Sequence, residues 1–213
     1  MVSCLNTEYD FHVAELRKPA KRRNRRAESP SVPQKASASA VRLFRQPRGH
    51  CQYVLTEVSL GGDYYMDAVV LNGYSGAWEG FFVEFEPVAD RVFNKDGTPT
   101  ARVRGAMKQI ADWREHMRLN PFQFRRKLSK LCQTKDLLRT REPGIEPCTF
   151  SNHKLKDPES VMWDHFWIIS GRRANLSQEI RGFMARQRSE SDVFMASYDG
   201  FLDLAKEHEA ESA

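Results

Sequence analysis

The sequence predicts one domain of the α/β (α+β) class, a mixed β-sheet flanked by helices, with a basic arm in front of it. Three observations predict this arrangement: short strand-like runs follow one another from residue 51, amphipathic helical patterns stand between the later runs, and Lys and Arg crowd the N-terminal residues. We therefore divide the chain into an N-terminal segment, residues 1–48, and a domain, residues 49–213. With 213 residues, 40% of them hydrophobic, the chain can build the hydrophobic core of one such domain.

The N-terminal segment differs from the rest of the chain in charge. Residues 1–48 hold 11 Lys and Arg against 4 Asp and Glu, a net charge of +7, whereas the remaining residues carry −2. The densest run, RKPAKRRNRR, leads into the Pro/Ser/Ala-rich stretch ESPSVPQKASASA, which has few apolar side chains to bury. The composition predicts a flexible, cationic linker over residues 17–42. Such an arm can bind the phosphates of nucleic acid, and a solubilising tail without a specific partner explains the composition equally well.

Three strand-like runs open the domain: CQYVLTEVSL, DYYMDAVVLNG and GFFVEFEP. The pair Asn72-Gly73 predicts the turn between the second and third runs. Because successive side chains of a strand point to opposite faces, Phe82, Glu84 and Glu86 share one face of the third strand. We expect the other face to be core and this face to hold the paired carboxylates.

Helical and strand-like patterns alternate in the rest of the domain. TARVRGAMKQIADWREHMRLNP has apolar residues at spacings of three and four, which predicts an amphipathic helix that ends before Pro121. QFRRKLSKLCQTKDLLRT predicts a second, basic helix, followed by a loop. VMWDHFWIISG then predicts a buried strand with Trp163 and Trp167 in the core, followed by a helix, the strand DVFMAS and a closing helix.

Several classes of protein are disfavoured by what the sequence lacks. No run approaches the roughly 18 apolar residues of a membrane span, and the N-terminus has acidic residues where a secretory signal has an apolar stretch. We therefore expect a cytoplasmic protein that does not enter a membrane. The four cysteines form no CxxC pair, which argues against a zinc site and a disulfide framework.

The acidic residues of the strands are the first candidates for chemistry. Asp67 lies in the strand YYMDAVVL, one hairpin before Glu84, so the two carboxylates can meet across neighbouring strands. Together with Glu86 they would offer a hard cation such as Mg²⁺ the oxygen ligands it prefers, and metal-assisted phosphodiester hydrolysis follows from such a site. Glu57 and Asp63 are candidate outer ligands. The alternative is a solvated strand face on which the glutamates pair with arginines.

An ordered set of stretches in this chain resembles a known family. The outline of a strand with Asp, a hairpin, a strand with Glu-x-Lys and a helix with Gln is that of the PD-(D/E)XK nuclease superfamily, and more of the chain is similar to the Shedu family of prokaryotic anti-phage defence nucleases. The stretches that carry the resemblance are DAVVLNG (67–73), GFFVEFEPV (80–88), FNKDGTPT with RGAMKQIADWREHM (93–117), FWIISGRR (166–173) and VFMASYDGFLDLAKEH (193–208).

The resemblance implies a PD-(D/E)XK nuclease-like fold and a DNA endonuclease that requires Mg²⁺ or Mn²⁺. It implies that Asp67 and Glu84 bind the metal and that Gln109, with Trp113 four residues later, faces the site from a helix. It also implies assembly into a homo-oligomer. The lysine of the Glu-x-Lys pattern falls on Glu86 in this chain. Either Glu86 helps to hold metal or water and cleavage survives, or the domain has lost catalysis and acts as a nucleic-acid-binding or assembly module.

Two groups of basic residues are candidate nucleic-acid contacts. Arg102 and Lys108 lie on the same helix as Gln109 and can replace the missing lysine. Arg125, Arg126 and Lys127 open the following helix and predict a phosphate-contacting surface beside the site. A solvated face of an amphipathic helix has the same composition.

Overall fold

The structure is a computed structural model that describes residues 51–61, 64–87, 91–138, 142–201 and 203. The N-terminal segment, its boundary with the domain, Asp63 and most of the predicted closing helix lie outside these residues. The strands are β1 (Cys51–Gly61), β2 (Tyr64–Gly73), β3 (Ala77–Phe85), β4 (Val161–Ile169) and β5 (Val193–Ala196). The α-helices are α1 (Ala101–Leu119), α2 (Pro121–Lys135) and α3 (Gln178–Ser191).

The described strands form one five-stranded sheet in the order β1-β2-β3-β4-β5. The first three pair antiparallel as a meander. β4 then runs parallel to β3, and β5 runs parallel to β4. Helices α1 and α2 lie in the long connection from β3 to β4, and α3 lies between β4 and β5. This mixed sheet flanked by helices confirms the predicted fold class.

Helix α1 covers one face of the sheet because its apolar residues recur at helical spacing. Its start is fixed by Thr100, whose side chain accepts a hydrogen bond from the Val103 N–H. Its end is fixed by Pro121, which begins α2 and cannot continue the preceding helix. The buried residues of α1 are Val103, Ala106, Ile110, Trp113 and Met117. The predicted amphipathic helix is therefore confirmed.

Apolar side chains cover both faces of the sheet, whereas we had expected a core on one face only. Phe82 of β3 belongs to the cluster beneath α1 and α2. Phe81 and Val83 belong to a second cluster on the opposite face, together with Tyr198 and Phe201. Glu84 is the last residue but one of β3 and Glu86 follows the strand, and both side chains are only partly buried.

Two further details of the sequence prediction were wrong. Asn72-Gly73 is the paired end of β2, and the chain reverses over residues 74–76 instead. Trp163 is 53% exposed, although it was predicted to be core. The reason is the length of β5, which pairs only with Phe166–Ile169 and leaves the first half of β4 without a neighbour on that side among the described residues. Trp167, within the paired half, is partly buried and packs against the second cluster.

The described part of the chain contains no helix that is long and apolar enough to cross a membrane. Of the cysteines in this part, Cys132 and Cys148 are free thiols. Burial raises the pKa of the Cys132 thiol well above its ordinary value, so this thiol is a poor nucleophile at neutral pH.

Candidate functional site

Asp67 lies where β2 leaves its regular pairing with β3. The last regular pair joins Ala68 to Val83, so Asp67 and Glu84 occupy the next positions on adjacent antiparallel strands. The Asp67 carboxylate accepts a hydrogen bond from the Phe85 backbone N–H, with 2.8 Å between Oδ2 and N. A side chain thus continues the contact between the two strands beyond their regular pairing. This contact orients the Asp67 carboxylate toward the end of β3.

Gln109 joins the helix to both strands. Its Nε2 atom donates a hydrogen bond to Glu84 Oε2 at 2.8 Å and lies 3.1 Å from the carbonyl oxygen of Tyr65 on β2. The helix can hold Gln109 in this position because its neighbours Ile110 and Trp113 are fully buried against the sheet. The structure therefore brings together Asp67, Glu84 and Gln109, which the sequence had placed in one site.

Glu86 completes a group of three acidic residues, Asp67, Glu84 and Glu86, which we call the acid cluster. Its carboxylate lies 3.8 Å from the guanidinium of Arg102. The side chain of Glu86 is 13% exposed, whereas that of Arg102 is 56% exposed and can contact a ligand from solvent. Lys108, the other cation considered on this helix, instead pairs with Asp112 one turn later at 2.9 Å. Arg102 is therefore the cation of α1 that meets the acid cluster.

Tyr198 is a member of the site that no sequence motif indicates. Its buried hydroxyl donates a hydrogen bond to the backbone carbonyl of Glu86, with 2.7 Å between the oxygens. Burial raises the pKa of this hydroxyl far above its ordinary value, and the negative charges of Asp67, Glu86 and Glu84 raise it further. The phenol therefore stays protonated and acts as a donor. No local pattern indicated this contact, because Tyr198 follows β5 and meets β3 only in the folded chain.

Two members of the acid cluster could hold a divalent cation. Among the residues that the structure describes, no three His, Cys, Asp or Glu side chains are grouped so that they could hold a metal ion together. Mg²⁺, however, is usually held by one or two carboxylates together with water and phosphate oxygens. Asp67 and Glu84, on adjacent strands, match that donor set, whereas Glu86 lies beside Arg102.

Glu57 is next to the acid cluster by strand register. The pairs on either side of it, Thr56 with Ala68 and Val58 with Met66, place Glu57 opposite Asp67. Its φ of 50° is in the left-handed region, which is uncommon for a residue other than glycine and costs on the order of 1 kcal/mol. The backbone of β1 is thus irregular at the residue that faces Asp67.

Arg125 of α2 lies away from the acid cluster. The Arg125 guanidinium donates hydrogen bonds to the backbone carbonyls of Asp157 and Ser160, directly before β4. Glu84, by contrast, lies opposite Ile168 near the last residue of β4. At about 3.3 Å per residue, roughly 25 Å separates the two ends of this strand. Arg125 therefore orders a loop at the far end of the sheet, and the expected surface beside the acid cluster does not include it.

Comparison with known proteins places the chain in a family. A search of curated proteins found no match. The family model described as "Shedu protein SduA, C-terminal" matches residues 41–202, which is most of the chain and includes every residue of the acid cluster. The chain therefore belongs to the Shedu family.

Proposed function

We propose that this protein is a DNA endonuclease that acts with Mg²⁺ or Mn²⁺ in anti-phage defence. The single observation that carries the proposal is the placement of Asp67 and Glu84 on adjacent strands, with Gln109 of the covering helix hydrogen-bonded to Glu84. Shedu family membership suggests the defence role. The substrate is DNA, a phosphodiester whose oxygens complete the coordination of a metal held by two carboxylates.

Each residue of the site has a distinct task in this proposal. Asp67 and Glu84 would hold the cation, which would supply polarisation of the phosphoryl oxygen and activation of a water molecule. The Phe85 N–H and the Gln109 amide orient the two carboxylates, as hydrogen-bond donors around metal ligands commonly do. Orientation matters because Mg²⁺ tolerates little deviation from its coordination geometry.

Arg102 takes over one task of the missing lysine. Glu86 occupies the lysine position and cannot supply positive charge, but it holds the Arg102 guanidinium 3.8 Å away. A guanidinium binds phosphate oxygens through paired N–H donors and stays charged at every physiological pH. Arg102 therefore neutralises phosphate charge and does not act as a general base. Its side chain is more than half exposed, so it can reach the DNA backbone.

The experiment that tests this proposal is cleavage of supercoiled and linear DNA with Mg²⁺ or Mn²⁺. The variants are Asp67→Ala, Glu84→Ala, Glu86→Ala and Glu86→Lys. The matched control is Glu79→Ala, because Glu79 is a partly buried glutamate of the same strand, five residues before Glu84, and binds Tyr74 and His165 instead. We expect the first two variants to abolish cleavage and the control to keep it.

The Glu86 variants test whether the site needs a carboxylate at position 86, to hold Arg102, or works with a positive charge there. Glu86→Ala should lower cleavage, because Arg102 loses the carboxylate that holds it. Glu86→Lys should keep or increase cleavage, since an ammonium group can both neutralise phosphate charge and position water. Full activity of Asp67→Ala or Glu84→Ala would refute the proposed metal site.

The occupation of the lysine position by Glu86, and its pairing with Arg102, also favour a second candidate function. In this alternative the domain is a nuclease-like module that binds nucleic acid, or assembles with copies of itself, without cutting. A wild-type protein that binds DNA but cuts with neither metal would support it, and a gain of cleavage by Glu86→Lys would then identify a nuclease that has lost its activity. Light scattering of the full chain measures the predicted homo-oligomer independently of cleavage.

A further inference from the structure

The backbone of Glu86 is held at two points, although the residue follows the last residue of β3. Its N–H donates to the carbonyl of Ile169 on β4, with 2.9 Å between N and O. Its carbonyl accepts the hydroxyl of Tyr198 at 2.7 Å. The Tyr198 hydroxyl therefore holds the carbonyl of Glu86, a residue that lies beyond the end of β3.

Tyr198 is itself anchored independently of the acid cluster. Its backbone N–H donates to the carbonyl of Gly171 at 3.1 Å, and its ring stacks on Phe85 with 6.1 Å between the centroids. The next residue, Asp199, accepts hydrogen bonds from the Arg172 side chain at 2.8 Å and from the Arg173 N–H at 2.7 Å. The phenol thus reaches Glu86 from a segment that several other contacts hold in place.

The chemical nature of the donor suits its surroundings. Three carboxylates act electrostatically on the Tyr198 hydroxyl, and a hydroxyl that keeps its proton can donate to a carbonyl without adding a charge to the site. Phenylalanine would fill the same space and keep the ring contact with Phe85, but it has no donor. A Tyr198→Phe substitution therefore removes the hydroxyl and leaves the ring in place.

We infer that Tyr198 is a positioning residue for the site: its hydroxyl fixes the backbone of Glu86 and thereby holds the Glu86 carboxylate against Arg102. The expected effect on cleavage rests on the proposed function, whereas the effect on the backbone does not. Because Tyr198 is buried and Arg102 keeps its positive charge when this hydroxyl is removed, the loss of the hydroxyl should change turnover and leave DNA binding in place.

The test compares Tyr198→Phe with Tyr74→Phe in the full chain. Tyr74 is the matched control, because its hydroxyl also donates one hydrogen bond, to Glu79 at 2.8 Å, near the other end of β3. The first readout is hydrogen exchange of the Glu86 amide, measured without metal or DNA. We expect it to become roughly fivefold faster in Tyr198→Phe, the factor that corresponds to one ordinary hydrogen bond, and to stay unchanged in Tyr74→Phe.

The second readout is steady-state cleavage of supercoiled DNA with Mg²⁺. We expect Tyr198→Phe to lower kcat about tenfold, at the lower end of the effect of removing groups that orient metal ligands, with KM within about twofold of wild type. Unchanged exchange at Glu86 would overturn the inference whatever the activity, and so would equal changes in both variants. If the wild type does not cut DNA, the proposed function fails and the exchange measurement alone decides the role of Tyr198.

Discussion

Gln109 of α1 donates a hydrogen bond to Glu84 of β3 at 2.8 Å, so the helix that covers the sheet also orients one of its carboxylates. The position of Gln109 is set by packing, because the next residue, Ile110, is buried in the core beneath the helix. Core packing and site geometry are therefore coupled through neighbouring residues of one helix.

Replacing Gln109 by Ala should lower cleavage by about 10-fold to 100-fold, because groups that orient metal ligands commonly contribute this much. Gln109→Glu should lower it at least as much, since a second carboxylate would repel Glu84. The matched control is Gln123→Ala, an exposed glutamine of α2. Equal activity of Gln109→Ala and the control would show that the hydrogen bond to Glu84 has no role in catalysis.

Arg102→Ala should weaken DNA binding in metal-free buffer and reduce the slope of log affinity against log salt by about one phosphate contact. The control is Lys108→Ala, which removes one positive charge from the same helix. Lys108 is already paired with Asp112, so its removal should matter less. Fluorescence anisotropy at several salt concentrations gives both slopes. Equal losses of DNA affinity in the two variants would show that Arg102 contributes only its positive charge and makes no specific contact.

Arg125→Ala should destabilise the protein and leave DNA binding nearly unchanged. The Arg125 guanidinium holds the carbonyls of Asp157 and Ser160, and hydrogen bonds from charged groups contribute about 1.5–3 kcal/mol. Its neighbour Arg126 is exposed, so Arg126→Ala serves as the control and should change the free energy of unfolding by less than about 0.5 kcal/mol. Urea denaturation measures both. A loss of DNA affinity specific to Arg125→Ala would restore the original prediction of a phosphate contact.

Deleting residues 1–42 should leave the Tm of the domain nearly unchanged and weaken DNA binding most at low salt. The segment has few apolar residues to bury and a high density of Lys and Arg. Calorimetry and binding at several salt concentrations test the two parts separately. An unchanged salt slope after deletion would mean that the basic residues serve solubility alone.

Asp199 should make the protein sensitive to acid. Hydrogen bonds from Arg172 lower the pKa of the Asp199 carboxyl below its ordinary value. A carboxyl with a lowered folded-state pKa stabilises the fold above its unfolded pKa, about 3.9, and this contribution is lost as the pH falls through the folded-state pKa.

The corresponding measurement is Tm against pH for wild type and Asp199→Asn. We expect the variant to be less stable at pH 7 and the two curves to converge below about pH 4. Asp112→Asn is the control, since its pair with Lys108 is largely exposed and contributes about 0–1 kcal/mol. Parallel curves for wild type and Asp199→Asn would exclude this source of acid sensitivity.

The features that the sequence predicted correctly are those that local patterns determine. Helical periodicity indicated the buried face of α1, and strand alternation placed Glu84 on the same face as Phe82. The exposure of Trp163 was not predictable in this way, because it depends on how far β5 extends along β4. Tyr198 was missed for the same reason: its partner, Glu86, is 112 positions away in the sequence, and no local spacing encodes such a contact.

The parallel pairing of β3 with β4 also bears on the order of folding. Phe85 pairs with Ile169, 84 positions later in the chain, whereas β1, β2 and β3 follow one another with only a few residues between them. Closing a long loop costs more entropy than closing a hairpin and slows the formation of distant contacts. We therefore expect Asp67 and Glu84 to approach each other early and Glu86 to acquire its partners Ile169 and Tyr198 only late. A chain still emerging from the ribosome would thus lack the finished arrangement around Glu86 until nearly all of the domain has been synthesised.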